Sequence, residues 1–170
     1  MADEKKTDAE KMAKLSDLIK DVRIAMLTTV FEGNELHSRP MAYQHPKEGF
    51  DGTVYFFTCG SSGKVHEMEA AHNVNVSFAD PKGQDFVSIS GTAQLSRDKA
   101  KMEQLWNPAL KAWFPDELKD PDIALLVVDT KSAEYWDAPN SVVVHLVGVV
   151  KATVTGTPMK GGENETIQIK

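Results

Sequence analysis

The sequence predicts a mainly β domain, an antiparallel barrel of six to seven strands with helices on its flanks. Three observations predict it. Apolar and β-branched runs of strand length recur along the chain, separated by clusters of Gly, Asp, Asn and Pro. Most of these runs are joined by short turns. The helical patterns do not alternate with the strands as parallel βαβ units would require, and antiparallel closure is the arrangement that removes exposed edges. The chain has 170 residues, of which 41% are apolar, enough for a single domain with its own core.

Residues 1–6 are polar and read as a tail. Thr7 and Glu10 have the spacing of a capping box, which satisfies free N–H groups at a helix start. Met12, Leu15, Ile19 and Val22 then recur at helical spacing and predict a helix over 8–22. Ile24 to Phe31 reads as a strand, Glu32-Gly33-Asn34 as a turn, and Leu36 to Gln44 as the returning strand. Lys47 to Gly52 is a loop, and Thr53 to Cys59 a β-branched and aromatic strand. Val65, Met68 and Ala71 suggest a short helix. Asn73 to Ala79 and Asp85 to Leu95 are strands joined through Asp80-Pro81-Lys82-Gly83. Ser96 or Asp98 can cap a further helix that buries Met102, Leu105 and Trp106, limited by Pro108 and Pro115. Ile123 to Thr130, Ala133 to Trp136 and Val142 to Thr155 are the remaining strands. Residues 156–170 read as a loose, Gly-rich tail. No internal repeat is visible.

The net charge is −6, which argues against a dedicated nucleic-acid binder or a basic membrane-surface protein. Cys59 is the only cysteine, so no disulfide forms within the chain, and a reducing compartment fits. The first twenty residues carry no apolar run of the signal-peptide kind. The longest apolar stretch, Val142 to Val150, is about half of what a spanning helix needs. A cytoplasmic protein without membrane contact is expected. None of His37, His45, His66, His72 and His145 has metal-ligand spacing with another histidine or with Cys59, so no metal is expected.

The most informative segment is Phe56-Phe57-Thr58-Cys59-Gly60-Ser61-Ser62-Gly63-Lys64-Val65. A strand ends in small residues and a helix begins near Ser62. Free N–H groups at a helix start attract anions, aided by the helix dipole. Ser62 can add a hydroxyl and Lys64 a full positive charge, so the segment is a candidate cradle for a phosphate monoester. Equally, Ser62 can be a plain N-cap and Lys64 a solvated side chain. The spacing matches neither a Walker A loop nor a Gly-x-Gly-x-x-Gly fingerprint. The second clue is Ser38-Arg39-Pro40-Met41-Ala42. An arginine among apolar strand neighbours calls for an anionic partner, either a phosphate or a protein carboxylate in an edge-strand salt bridge. Pro40 cannot donate a ladder hydrogen bond, which marks an edge or an interruption.

Taken together, Ser38-Arg39-Pro40-Met41, the strand ending Phe56-Phe57-Thr58, Ser61-Ser62-Gly63-Lys64 and the strand Ser88-Ile89-Ser90-Gly91-Thr92-Ala93 resemble the FMN-binding split barrel of the pyridoxamine 5′-phosphate oxidase-like superfamily. Leu105-Trp106, Ala112-Trp113-Phe114-Pro115, Asp120-Pro121-Asp122, Glu134-Tyr135-Trp136-Asp137 and the Gly161 to Thr166 tail resemble its general stress protein 26 branch. The resemblance spans roughly residues 10–167. It implies a six- to seven-stranded antiparallel split β-barrel that pairs into a homodimer, with a flavin in each interface cleft. FMN is the implied cofactor, with FAD as the other candidate. Arg39 and Lys64 would pair with the flavin phosphate, and Ser62 would donate to it. Pro40, Met41 and Ala42 would run along the ring edge, while Phe57 and Thr58 line the other side. Trp106, Trp113 and Trp136 are candidates for covering the ring, or else for core or interface packing. Gly63 stands where many relatives carry a second basic residue, which weakens the grip or leaves Arg39 to compensate. No catalytic residue is assigned. The implied activity is a flavin-dependent oxidoreductase acting on a small molecule. The alternatives are a non-catalytic flavin store or stress-response module, or a true pyridoxamine 5′-phosphate oxidase. The last would need a C-terminal Arg-x-His segment, and this chain instead carries Gly161-Gly162-Glu163-Asn164-Glu165.

Overall fold

The computed structural model of the protein describes residues 7–137 and 163–169. Helix α1 (Asp8–Ile19) starts at the expected capping box. The Thr7 hydroxyl accepts from the Glu10 N–H at 3.2 Å, and the Glu10 carboxylate accepts from the Thr7 N–H at 2.7 Å. The helix stops at Ile19 rather than at residue 22, and Val22 still packs against the core from the following turn. Strands β1 (Ile24–Val30) and β2 (Leu36–Ala42) form a hairpin around a short 3₁₀ turn at Glu32–Asn34. Next come β3 (Thr53–Cys59), helix α2 (Gly63–Ala70), β4 (Asn73–Asp80), β5 (Asp85–Ser96) and helix α3 (Lys99–Leu105). The chain ends with β6 (Ile123–Asp137) and β7 (Glu163–Gln168).

Among the described residues seven strands form one antiparallel sheet, so the fold is mainly β with helices on its flanks, curled into a split barrel. The strand order is β2-β1-β4-β5-β6-β3, with β7 paired to the far half of β6. Strict alternation along β1 buries Ala25, Leu27 and Thr29 and leaves Ile24 and Met26 exposed. Leu27, Val54, Phe56, Val76, Ile89, Leu126, Val128 and Tyr135 fill the interior. Each such side chain stabilises the fold by roughly 1.5–3 kcal/mol relative to exposure. Leu15 and Ile19 of α1, and Val65 and Met68 of α2, join the same core. A second core forms on the outer face of β3 and β6, where Tyr55, Phe57 and Leu125 meet Met102, Leu105, Leu110 and Phe114.

Two features depart from the sequence reading. The strands expected at 123–130 and 133–136 are one continuous β6. Its register slips between Ser90 and Gly91 of β5, where a bulge absorbs the polar Lys131 without ending the strand. Gly91 is required there, because a Cβ would stand 2.3 Å from the Asp129 carbonyl oxygen. The expected tail at 156–170 contains β7, whose Ile167 is buried and whose pairing runs from Ser132↔Gln168 to Asp137↔Glu163. The expected strand 142–155 lies outside the described residues.

The two ends of the strand order, β2 and β3, nearly meet. Among the described residues they join through a single bridge, Tyr43↔Phe56, with the Gln44 N–H donating to the Tyr55 carbonyl at 3.0 Å. Below that bridge the facing edges of β2 and β3 have no strand partner across the gap among the described residues. The opening of the split barrel is therefore, among those residues, a seam between two strand edges, with the start of α2 at its mouth.

Candidate functional site

The seam is bounded by Arg39 to Ala42 on β2 and by Thr58, Cys59 and the start of α2 on the other side. The loop from β3 to α2 is pinned from outside. The Gly60 N–H donates to the Asp122 carbonyl at 2.7 Å, and the Ser61 N–H and hydroxyl donate to the Asp122 carboxylate at 3.0 and 2.7 Å. Ser61 is thereby fully engaged. Ser62 is the N-cap of α2, but its hydroxyl makes no capping bond to the helix and rests 3.4 Å from the buried Thr58 hydroxyl. Gly63 and Lys64 occupy the first turn of α2, where their N–H groups have no earlier helical carbonyl to reach. One hydroxyl and two backbone donors thus converge on the seam's mouth.

Lys64 is half-buried beside them and forms no ion pair among the described residues. Burial holds its ammonium below the usual lysine range, and the nearby Arg39 charge pushes the same way. Cys59 and Glu67 act in the opposite sense. A partly desolvated cation lacking a bonded counter-charge favours arrival of an anion.

Arg39 is differently placed. Its guanidinium donates to Glu67 Oε2 at 2.7 Å. Thr29 donates its hydroxyl to the same carboxylate oxygen, and His37 Nδ1 lies 3.2 Å from Oε1. An ionised carboxylate only accepts, so Nδ1 carries the proton. Burial pushes the Glu67 carboxyl up, but the Thr29, Arg39 and His37 hydrogen bonds outweigh it and hold the group at about 2. The sequence left Arg39 with two possible partners, and the protein carboxylate is one it has.

Other predicted residues fall into three groups. Pro40 is exposed on the outer face of β2, Met41 is buried inward, and Ala42 is intermediate. The register turns the backbone of Met41 toward Ala25 of β1 and leaves that of Pro40 and Ala42 on the seam's edge, Pro40 with its carbonyl alone. Thr58 faces the seam beside Ser62. Phe57 does not: its side chain is committed to the second core, packed edge-on to Trp106 at 5.4 Å and tilted against Phe114 at 6.3 Å. Trp106 is half-buried in that contact. Trp113 and Trp136 are 63% and 42% exposed, on the loop after α3 and at the end of β6. Sequence reasoning missed Glu67, Thr29 and His37. The available signal was alternation, because His37 and Arg39 share one face of β2 and stand opposite Thr29 and Leu27.

The model of the family described as pyridoxamine 5′-phosphate oxidase like matches residues 10–160. The chain belongs to the pyridoxamine 5′-phosphate oxidase-like family. A general stress FMN/FAD binding protein from Xanthomonas citri is 30% identical, with a TM-score of 0.68 over 79% of this chain and 93% of its own. The general stress protein 26 of Bacillus anthracis str. Sterne is 25% identical, with a TM-score of 0.66 over 74% of this chain and 93% of its own. Protein bli-3 of Neurospora crassa is 28% identical over 158 residues, which is 88% of this chain and 75% of that protein. The matched region of the oxidase-like family includes every element that builds the seam. Among the described residues no helix is long and apolar enough to cross a membrane.

Proposed function

We propose that this oxidase-like family member binds FMN in the seam, as a flavin-dependent oxidoreductase of the general stress protein type. Lys64, the Ser62 hydroxyl and the first N–H groups of α2 hold the phosphate, with Arg39 at its flank. The backbone of Pro40 to Ala42 and Thr58 borders the ring. The observation that carries this reading is Lys64, half-buried at a helix start without a bonded counter-charge. A flavin monophosphate brings about −1.5 to −2 charges, which Lys64 and the helix start would balance. Similarity to a general stress FMN/FAD binding protein supports the cofactor class. The flavin, when bound, supplies the electron-transfer chemistry, and the chain supplies binding, orientation and access.

The same reading makes the protein a homodimer. The outer face of β1 and β2 exposes Ile24, Met26 and Leu36, at 49%, 40% and 68%, together with Pro40. Pairing two copies across that face would cover these side chains and close the seam from outside.

Small molecules released from the purified, denatured protein should show the flavin absorption bands and the mass of FMN. Lys64→Ala should weaken FMN binding about ten- to a hundredfold, the loss of one charge-assisted contact, while riboflavin, which lacks the phosphate, binds both proteins alike. Equal FMN affinity of the two proteins would remove Lys64 from the site. Bleaching of bound flavin by a nicotinamide donor without oxygen identifies an oxidoreductase; a flavin that no donor reduces identifies a store.

A further inference from the structure

A phosphate dianion at the start of α2 brings about −1.5 to −2 charges, and the cations already placed at that corner do not match it. Lys64 has no bonded counter-charge among the described residues, but Arg39 is committed to Glu67. Behind the corner stand two acids. The Asp122 carboxylate holds Ser61, and Asp120 Oδ1 accepts the Asp122 N–H at 2.8 Å. One uncommitted cation, with two carboxylates at its back, leaves the corner short of positive charge.

We propose that Arg97 is the second cation of the phosphate corner and binds the flavin phosphate beside Lys64. The inference rests on the flavin reading above and adds to it a residue from another part of the chain. Arg97 lies between the end of β5 at Ser96 and Asp98, the N-cap of α3. The first argument is where its guanidinium goes. The residue is exposed, yet its side chain comes back onto the loop from β3 to α2. A Cβ on Gly60 would stand 2.5 Å from Arg97 Nη2. The backbone of Gly60 does not call for glycine, because its φ lies outside the left-handed region. Glycine provides room there, for Nη2 and for the Asp122 carboxylate and carbonyl, which the same Cβ would meet at 3.2 and 3.3 Å.

The second argument is that this guanidinium is uncommitted. Asp122 is the acid beside it, but its carboxylate is taken twice by Ser61 and forms no ion pair with Arg97. Arg97 makes no hydrogen bond or ion pair among the described residues. A planar fork suited to two phosphate oxygens is thus held at the loop with its donors unused.

The third argument is reach. Successive Cα atoms are about 3.8 Å apart, so Ser62 stands no more than roughly 7.6 Å from Gly60. Nη2 is the far end of a flexible side chain, so a turn about its outer torsions carries it from Gly60 toward the Ser62 hydroxyl and the first N–H groups of α2. Gly63 leaves that approach open, because even a Cβ there would meet nothing within 4 Å.

The test titrates the full chain, freed of bound small molecules, with FMN and with riboflavin, which lacks the phosphate. Arg97→Ala should weaken FMN about tenfold, the loss of one charge-assisted contact, and leave riboflavin unchanged. Arg97→Lys should keep most of the FMN affinity. Gly63→Lys, placed in the Arg97→Ala background, supplies a charge from the open first turn of α2 and should recover most of the loss. FMN affinity unchanged in Arg97→Ala, a loss that riboflavin shares, or a loss that Gly63→Lys does not recover overturns the role of Arg97 while the flavin reading stands. A shared loss would make Arg97 a prop for the Gly60 loop. If neither flavin binds the parent chain, the flavin reading falls and the role of Arg97 with it.

Discussion

Arg39 on β2 and Lys64 on α2 stand close enough at the seam's mouth for their charges to repel, yet the protein treats them oppositely. Arg39 is received by a carboxylate that Thr29 and His37 also hold. Lys64 is half-buried with no such partner among the described residues. The same charge therefore serves two ends. A cation whose counter-charge is built in fixes α2 against the β1–β2 hairpin. A cation whose counter-charge is missing is left to a ligand.

The contrast breaks most visibly through Glu67. Replacing it by alanine leaves the Arg39 guanidinium, 24% exposed, without its partner and strips Thr29 and His37 of their acceptor. The expected loss is about 2–4 kcal/mol of folding stability, read from the urea midpoint at constant slope. Lys64→Ala, by contrast, should move that midpoint by under about 0.5 kcal/mol. Equal shifts for the two variants would show that Lys64 is structural after all.

Acid sharpens the same distinction. The folded-state value of Glu67 lies below its unfolded one, about 2 against 4.5. Its contribution is therefore complete above about pH 4.5 and disappears as pH falls through about 2. Roughly 1–3 kcal/mol should be lost across that window, at 1.36 kcal/mol per unit with allowance for solvent screening. Glu67→Gln should flatten the stability–pH profile in that range relative to the parent chain. A variant profile as steep as the parent's would assign the acid sensitivity to other carboxylates.

How much of this was legible in the sequence follows from range. Local signals were readable: the Thr7–Glu10 box, the turn residues and the helix start at Ser62 are encoded within a few positions and reappear in the structure, whereas the apolar, Thr-rich run of β1 suggested a strand covered on both faces and instead leaves Ile24 and Met26 exposed. The family motifs gave the split barrel as well. What was not legible depends on partners distant in sequence. Glu67 was one of many acids until the fold carried α2 onto the β1–β2 hairpin, 28 residues beyond Arg39. Lys131 read as a break between strands because a bulge that needs Gly91, forty positions earlier, is invisible in the local pattern. Phe57 looked like a wall of the site, but alternation along β3 turns it to the second core, which exists only once α3 and the 108–114 segment have packed. The 163–168 segment is polar, with Ile167 its one buried side chain, so its pairing with β6 leaves little trace in composition.

The smallest effect separates two helix starts of the same chemical type. Asp98 caps α3 through its carboxylate, which accepts from the Ala100 and Lys101 N–H groups at 3.0 and 3.2 Å. Ser62 occupies the same position on α2 and makes no such bond. If both were mere caps, alanine would cost each about 1 kcal/mol. If the Ser62 hydroxyl and the α2 N–H groups are reserved for a phosphate, the costs diverge. Asp98→Ala should lose about 1 kcal/mol and leave FMN affinity alone. Ser62→Ala should lose under about 0.5 kcal/mol yet weaken FMN about tenfold, the share of one hydrogen bond to a charged group. Thermal unfolding and flavin titration of the two variants provide both readouts. A Ser62→Ala protein that loses stability as Asp98→Ala does, with FMN binding intact, would make this helix start an ordinary one and leave Lys64 without its companions.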